Sequence, residues 1–537
     1  MAGLALAACA IAMLGLAQET PQEQTSHSMI VQAADAEQAA EAVRTAGGTI
    51  THELGIIDAV AARLSESQVE RLAGTSGVIR TYADSNVEVA GKPGGGGIVD
   101  SFYAKHVGAR SLHAEGTDGS GVTIAVLDTG FWQHQAILDD ADGNERAIAG
   151  YDAINDSPIS KRNADWSGHG THVTSIALSS ENSGTTTDPK FNGIAPGASF
   201  VAVRAFNSDG AGTYASVIRG IDWVVANKDV HGIRVLNMSF SAPAQSHYWD
   251  DPLNQAVMRA WQEGIVVVAS AGNTGPDAMT IGVPGNVPYV ITVGAMTDNY
   301  TPQDPSDDVL ASFSSTGPTV EGFVKPEIVA PGGHMLGLMR NSTVIASQHP
   351  EFHDSTQYFS MSGTSQAAAV VTGIVALMLQ QEPFLTPDDV KCKLMSSARP
   401  AVDDNGQLAY SVFQQGAGVV DAHGAINATD LTCANNGLDV AKDLADVQHY
   451  RGKANRDENG AYYIEGLSGY MWSDGYMWSD GYMWSDAFIW SDAFIWSDAF
   501  IWSDAFMWSD GYMWSDAFIW SDSLTESASI NVWVEQQ

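Results

Sequence analysis

The sequence predicts an α/β fold in which helices cover both faces of a central parallel sheet. Near-continuous apolar runs rich in β-branched residues recur along the chain, and such runs are typical of strands buried on both faces. The segments between them, such as residues 215–228 and 253–264, have the apolar spacing of amphipathic helices. Strands and helices that alternate in this way form parallel sheets with right-handed crossovers. The strand-like runs are residues 122–128, 200–206, 233–240, 265–272 and 289–295.

Length and charge limit the class of protein. The chain has 537 residues, more than one hydrophobic core organises, so several structural units are expected. It carries 25 Lys and Arg against 63 Asp and Glu, a net charge of −38. Because polyanions are bound through Lys and Arg, this charge argues against a nucleic-acid partner. A high-salt habitat and the ordinary acidity of secreted enzymes both account for it.

The first residues predict export. Residues 1–17 are uncharged and apolar, and a run of about 15 such residues is short for a membrane span and typical of a secretory signal. The usual basic segment in front of that run is missing. In an oxidising compartment Cys392 and Cys433 either pair or remain two free thiols.

Residues 27–91 predict a small α+β module. A strand-like SMIVQA precedes a helix that ends on glycines, an apolar run follows, and a second helix with a Ser cap leads into a final strand. Such a module is either a binding domain or a removable pro-segment. Residues 92–97, KPGGGG, predict a flexible linker accessible to a protease. The main α/β domain follows over residues 98–430.

An Asp-Thr-Gly turn follows the first strand of the main domain. Asp128 stands at the carboxyl end of a buried parallel strand, the edge where α/β proteins place functional side chains. The same tripeptide is a common turn. It also occurs in aspartic proteases, but these need two such carboxylates, and no second copy lies in a matching context.

Two further motifs contain a His and a Ser. Glycines flank His169 at the start of a helical segment, and they let backbone pack closely around the imidazole. His169 and His172 are also spaced as a pair of metal ligands, but a zincin motif needs a Glu beside the first His and a spacing of four. Ser365 stands at the predicted N-terminus of a long apolar helix, where amides favour negative charge, although a helix cap also explains a Ser there.

The order Asp…His…Ser is that of subtilisin, and it differs from chymotrypsin and the α/β-hydrolases. The chain resembles the subtilase family in these motifs and in the stretches between them, over about residues 101–425. This resemblance implies the family's subtilisin-like three-layer sandwich, and residues 27–91 resemble its inhibitory propeptide. The other shared landmarks are residues 192–198, 235–240, 313–318 and 325–332.

The resemblance implies a secreted serine endopeptidase that is made as an autoprocessed zymogen and needs no cofactor for its chemistry. Ser365 would attack the peptide carbonyl, His169 would transfer the proton, and Asp128 would orient the imidazole. Asn273 matches the family's side-chain oxyanion donor, and the Ser365 amide is the second donor.

The resemblance also implies the partners. Protein or peptide substrates would bind extended beside Ser239, Phe240 and Ser241 through main-chain hydrogen bonds. The propeptide would inhibit its own chain, and the enzyme would act as a monomer. Gln366 replaces the Met that commonly follows the nucleophile, which removes an oxidisable thioether from the site.

Structural Ca²⁺ is expected from the family, but the site is weakly marked. The carboxylate that often serves the family's high-affinity site is Ala136 in this chain. The turn after it is rich in oxygen ligands and supplies the weak candidates Asp139, Asp140 and Asp142. A solvated acidic turn is the alternative.

The C-terminal part is dominated by a hexapeptide repeat. Residues 431–466 are polar and predict a linker, residues 467–522 repeat YMWSDG and AFIWSD, and residues 523–537 predict a closing strand. An even period keeps each position on one face of an extended chain, so we favour a β-solenoid-like array. The array would bind a cell surface or polysaccharide, self-associate, or pack on the main domain; repeat expansion without a selected role explains it equally well.

A rival class is a non-catalytic adhesin built on an inactive protease scaffold. That class predicts the loss of a triad member, whereas Asp128, His169, Ser365 and Asn273 are all present.

Overall fold

The computed structural model describes residues 26–54, 58–75, 77–83, 99–159, 165–185, 188–302, 304–403, 406–458, 460–464, 527–529, 533–534 and 536–537. The chain forms two compact units, Met1–Lys92 and Pro93–Gln537. Three predicted segments lie outside the described residues: the signal peptide, the Gly-rich linker and the hexapeptide repeats. No helix in the described part is both long and apolar enough to cross a membrane.

The first unit has the strand and helix order that the sequence predicts, with one additional strand at Thr49–Leu54. Asp35 caps the first helix by accepting from the Gln38 amide at 2.8 Å, and Gln68 accepts from the Ser65 amide at 2.7 Å at the start of the second. The elements are β1 (Ser26–Ala33), α1 (Ala36–Thr45), β2 (Thr49–Leu54), β3 (Ala59–Ser65), α2 (Glu66–Ala73) and β4 (Val78–Ala83). The antiparallel sheet has the strand order β2-β3-β1-β4.

The second unit is built on one large sheet. Its strands and those of the smaller sheets are β5 (Thr123–Asp128), β6 (Ala147–Asp152), β7 (Ser157–Pro158), β8 (Ser199–Arg204), β9 (Ala211–Thr213), β10 (Ile233–Met238), β11 (Val266–Ser270), β12 (Ile291–Thr297), β13 (Val309–Leu310), β14 (Ile328–Pro331), β15 (Met335–Leu338), β16 (Tyr358–Met361), β17 (Ala454–Arg456), β18 (Tyr462–Ile464) and β19 (Ser527–Ser529). The large sheet runs β13-β12-β11-β10-β5-β8-β6-β7, and β14 pairs with β12. Only its edge strands β7 and β13 pair antiparallel.

Helices cover this sheet. They are α3 (Tyr103–His106), α4 (Ala109–Ala114), α5 (Gln135–Leu138), α6 (His169–Leu178), α7 (Tyr214–His231), α8 (Pro252–Gln262), α9 (Val344–Gln348), α10 (Thr364–Gln381), α11 (Pro387–Ser397), α12 (Val412–Gln415), α13 (Ala422–Asn427) and α14 (Val440–Leu444), with 3₁₀ turns at Pro305–Asp307 and Pro350–Phe352. Helices α6 and α10 pack together, as do α7 and α8. Every residue of β5, β11 and β12 is buried, which requires cover on both faces. The predicted α/β class with a central parallel sheet is confirmed.

The region predicted as a linker differs from that expectation. Residues 431–464 form α14 and the β17–β18 hairpin and belong to the second unit. The buried Asp443 accepts hydrogen bonds from the hydroxyls of Tyr248 at 2.6 Å and Tyr289 at 3.0 Å. Cys433 forms a disulfide with Cys392, a pairing that the sequence left open. The polar composition of residues 431–464 did not indicate this packing, because a few buried residues such as Asp443 and Cys433 hold the segment and no periodic apolar stripe does.

Candidate active site

Asp128 ends β5, in the middle of the sheet between β8 and β10. The apolar run before it buries the whole strand, so its carboxylate is only 1% exposed. Its Oδ1 accepts from the Thr129 amide at 2.7 Å, and its backbone oxygen accepts from the Ala205 amide at 2.9 Å, at the end of β8. Neighbouring amides therefore hold both the carboxylate and the backbone of Asp128.

His169 is the first residue of α6 and is fully buried. Gly168 has φ +101°, and a Cβ there would lie 2.8 Å from Met339 Sδ; a Cβ on Gly170 would lie 2.2 Å from the Gly130 oxygen. These close approaches are the packing that the flanking glycines predict.

The imidazole and the Asp128 carboxylate are in direct contact. His169 Nδ1 lies 2.8 Å and 2.9 Å from the two carboxylate oxygens. Because an ionised carboxylate only accepts, Nδ1 carries the proton and Nε2 presents a lone pair. Nε2 is buried and has no hydrogen-bond partner within the described residues. The arrangement supplies an oriented base.

Asp165 holds the loop around this pair, and the sequence analysis missed it. Its Oδ1 accepts from Thr129 Oγ1 and the Gly168 amide, both at 2.9 Å. Its Oδ2 accepts from the Thr171 amide at 2.9 Å and from Thr171 Oγ1 at 2.7 Å. The side chain is fully buried, so one carboxylate ties the Asp128 turn to the first turn of α6. Its position four residues before His169 was the only available signal.

Ser365 is the second residue of α10, behind the N-cap Gly363. Its Oγ donates to the Ser239 backbone oxygen at 3.0 Å, and Ser239 Oγ donates to the Ser365 backbone oxygen at 2.9 Å. The Ser365 hydroxyl thus bonds to Ser239 in this structure, and no Ser365–His169 hydrogen bond is present within the described residues. The helix N-terminus places backbone amides beside the hydroxyl.

Asn273 follows β11 and faces the same helix start. Its Oδ1 accepts from the Thr364 amide at 2.9 Å and from Thr364 Oγ1 at 2.8 Å. With the carbonyl end held in this way, the NH₂ end points away from Thr364, and Nδ2 lies 3.3 Å from where a Cβ on Gly363 would stand. Asn273 Nδ2 is therefore a fixed hydrogen-bond donor beside Thr364, the residue that precedes Ser365.

The predicted substrate segment follows β10. Ser239 receives a hydrogen bond from Asn237 Nδ2 at 2.9 Å, and the Phe240 oxygen receives one from Ser270 Oγ at 2.9 Å. The Phe240 ring packs against Phe206 with centroids 5.0 Å apart, which ties this segment to the chain leading into β9. Ser241 Oγ fills the space at Gly282, where a Cβ would lie 2.0 Å from it. The sequence did not single out β9.

His172 lies behind the site and is not a ligand. Its Nε2 donates to the Phe359 oxygen at 2.9 Å, and Gln366 Nε2 lies 3.4 Å from its Nδ1. Burial lowers the pKa of His172 to about 4, and the nearby His169 adds to the effect. Gln366, which stands where the family commonly has Met, therefore connects helix α10 to the neutral imidazole of His172.

The acidic turn that carries the calcium candidates is closed by internal hydrogen bonds. Asp140 Oδ1 accepts from the amides of Asp142 at 3.0 Å and Asn144 at 2.8 Å, and Asp139 Oδ2 accepts from Gln135 at 3.2 Å. The calcium site at Asp139, Asp140 and Asp142 stays a prediction. No group of three or more His, Cys, Asp or Glu in the described ranges could hold a metal ion.

Comparison with known proteins gives two family matches. The model of the Subtilase family matches residues 119–418, and the model of a peptidase inhibitor domain matches residues 8–82. Serine protease AprX of Bacillus subtilis (strain 168) is 40% identical over 313 residues, which are 57% of this chain and 66% of that protein. Subtilisin DY of Bacillus licheniformis is 32% identical over 319 residues, which are 59% of this chain and 95% of that protein.

Among solved structures, the chain matches fervidolysin from Fervidobacterium pennivorans, described as a keratinolytic enzyme related to subtilisin. The TM-score is 0.47 at 23% identity, with 77% of this chain and 63% of that chain covered.

Proposed function

The chain belongs to the subtilase family and is a serine endopeptidase, and from that premise we propose which of its residues perform the reaction. Asp128, His169 and Ser365 form the catalytic triad, and Asn273 is the oxyanion donor. The observation that carries this assignment is the buried contact of His169 Nδ1 with both Asp128 oxygens, which leaves Nε2 without a partner.

The reaction begins when a peptide binds extended beside residues 239–241. Ser365 Oγ leaves the Ser239 oxygen by rotation about its Cα–Cβ bond and attacks the peptide carbonyl carbon. Its proton passes to His169 Nε2, and the imidazolium is stabilised by Asp128. His169 then gives the proton to the departing amine. Water attacks the acyl-enzyme along the same route, with His169 again as base, and restores Ser365.

The negative oxygen of each tetrahedral intermediate needs donors that are already in place. Asn273 Nδ2 and the Ser365 amide supply them, and the N-terminus of α10 adds its dipole. Because Thr364 holds the Asn273 carbonyl with two hydrogen bonds, the donor does not have to reorganise during the reaction. The chemistry requires no cofactor.

The first unit is the proposed inhibitory propeptide, removed by self-cleavage between about Val89 and Ser101. The peptidase inhibitor domain match and a separate hydrophobic core around Val31, Val43 and Leu64 support this role. Residues 1–17 support secretion into the extracellular space.

The processed enzyme is proposed to act as a monomer on proteins and peptides. The hexapeptide repeat at residues 467–522 is proposed to bind a cell surface or polysaccharide. A chain without this repeat should then lose retention on insoluble cell-wall polysaccharide and keep its activity on soluble casein. Equal retention of both chains would contradict that role.

Ser365→Ala tests the catalytic assignment. We expect a fluorophosphonate to label the wild-type chain and to leave the variant unlabelled, and casein clearing to be lost. Ser111→Ala, a change on the exposed face of α4, is the matched control and should behave as the wild type. No labelling of any chain would favour the non-catalytic adhesin instead. The mature N-terminus should also be absent from Ser365→Ala made alone, and its presence would contradict self-cleavage.

A further inference from the structure

Residues 527–529, 533–534 and 536–537, the described part of the C-terminal segment, contact the same unit that carries the site. Strand β19 pairs antiparallel with β9, with Ser527 opposite Thr213 and Ser529 opposite Ala211. Strand β9 follows β8, whose next residue donates its amide to the Asp128 backbone oxygen. The docked strand therefore pairs with the stretch of chain that follows this contact.

Trp533 makes the next contact. Its ring stacks on His349 with centroids 3.6 Å apart and planes 5° apart, and it packs beside Phe352 and Phe359. It belongs to the apolar cluster that contains Met339. A Cβ on Gly168 would lie 2.8 Å from Met339 Sδ, so this aromatic pocket borders the backbone that presents His169.

The last two residues contact the approach to the nucleophile. Ser362 Oγ donates to Gln536 Oε1 at 3.1 Å, three residues before Ser365. Gln537 accepts from His334 Nδ1 at 2.7 Å through its backbone oxygen and from the Ser312 amide at 2.9 Å through Oε1.

Gly333 leaves room for the end of the segment. A Cβ on Gly333 would lie 2.4 Å from the Gln537 oxygen. Shape and hydrogen bonding are therefore both matched to Gln537.

The described parts of the segment, residues 527–529, 533–534 and 536–537, make these contacts at separate places near the triad. Ser529 and Trp533 are four residues apart, and four residues reach at most about 14 Å. The contacts lie next to the elements that carry Asp128, His169 and Ser365 in turn. A backbone pairing with a short strand, with an aromatic anchor beyond it, resembles the mode in which an extended peptide binds.

We propose that the C-terminal segment, through its residues 527–529, 533–534 and 536–537, is an intramolecular, substrate-like inhibitor of the enzyme. The proposal rests on the proposed function of the site and names its regulation. Because the segment is part of the same chain, its effective concentration is of the order of millimolar, and it competes with substrate without needing high affinity. Activity on protein substrates then requires the segment to be displaced or removed.

The test uses the processed protein with Trp533→Ala. The KM for an extended peptide substrate should fall about tenfold or more with kcat unchanged, since an aromatic anchor at an interface contributes at least that much to affinity. The matched control is Phe384→Ala, because Phe384 is 97% exposed and outside these contacts. Gln537→Ala, which changes a different contact of the segment, should also lower KM. The same effect in a second variant would show that the effect of Trp533→Ala is not a folding defect.

A peptide with the sequence of residues 523–537 should inhibit the Trp533→Ala chain competitively, and the same peptide with Trp533→Ala should be about tenfold weaker. If both variants had a lower melting temperature and an unchanged KM, the segment would stabilise the fold without inhibiting the enzyme. That result would overturn the proposal. A wild-type chain that has already lost these residues would also overturn it, since a retained inhibitor is not cut. If a fluorophosphonate labelled all chains at equal rates, the inhibitor proposal would be rejected and the proposed function would stand. If it labelled none of them, the proposed function would be rejected.

Discussion

Asp165→Asn tests whether the active-site pair depends on the buried carboxylate behind it. In the wild type, Asp165 accepts four hydrogen bonds, two on each oxygen. Asparagine keeps one acceptor oxygen, but its NH₂ group faces two donors that then have no acceptor. Each buried donor left unsatisfied costs about 1–3 kcal/mol, so we expect a loss of about 2–6 kcal/mol in the free energy of unfolding.

The catalytic effect should be separate from the loss of stability. Asp165 holds Gly168 and Thr171, on either side of His169, so their displacement moves the imidazole. A misplacement of about 1 Å costs about 10²-fold in rate, and the loss should fall on kcat more than on KM.

Unfolding is measured by urea titration in a Ser365→Ala background, which prevents self-digestion, and kcat is measured in the active chain. Asp142→Asn, on the exposed acidic turn, is the matched control and should change neither quantity. An Asp165→Asn enzyme with wild-type kcat at temperatures where it stays folded would refute the positioning argument. Unchanged stability would refute the hydrogen-bond accounting.

Two other predictions concern the donor and the buried imidazole. Asn273→Ala should lower kcat by about 10²–10³ with little change in KM, measured on a peptide amide; an equal loss in KM would indicate a binding role. Burial lowers the pKa of His172 to about 4, so the unfolded chain binds the proton first and stability falls as pH drops from about 6.5 to 4, by about 3 kcal/mol. His172→Gln keeps a donor for the Phe359 oxygen, so the urea midpoint of this variant should depend less on pH in that range. A pH dependence equal to that of the wild type would contradict this explanation.

The sequence was sufficient for the features that local chemistry marks. The apolar run ending at Asp128 and the glycines around His169 each follow from constraints within a few residues, namely strand burial and close backbone approach. The first unit was predictable for the same reason, because its helices carry their own caps, as at Asp35.

Composition was misleading where the direction of a side chain matters. Asp140 belongs to an oxygen-rich turn, and only the structure shows that its carboxylate accepts from amides of its own loop. Polar residues predicted a linker after residue 430, but the buried Asp443 and the Cys433 disulfide dock it on the second unit. Neither outcome is visible in a count of residue types.

The sequence by itself determined the fold class and the residues proposed for the triad, since their order and local packing constraints are written in contiguous motifs. Only the tertiary structure decided that Asp165 braces the His169 loop, that the Ser365 hydroxyl bonds to Ser239, and that Trp533 reaches His349. The physical reason is that such contacts join residues far apart in the chain. Which partner a donor or a ring finds there depends on the packing of the whole unit, and no local window of sequence contains it.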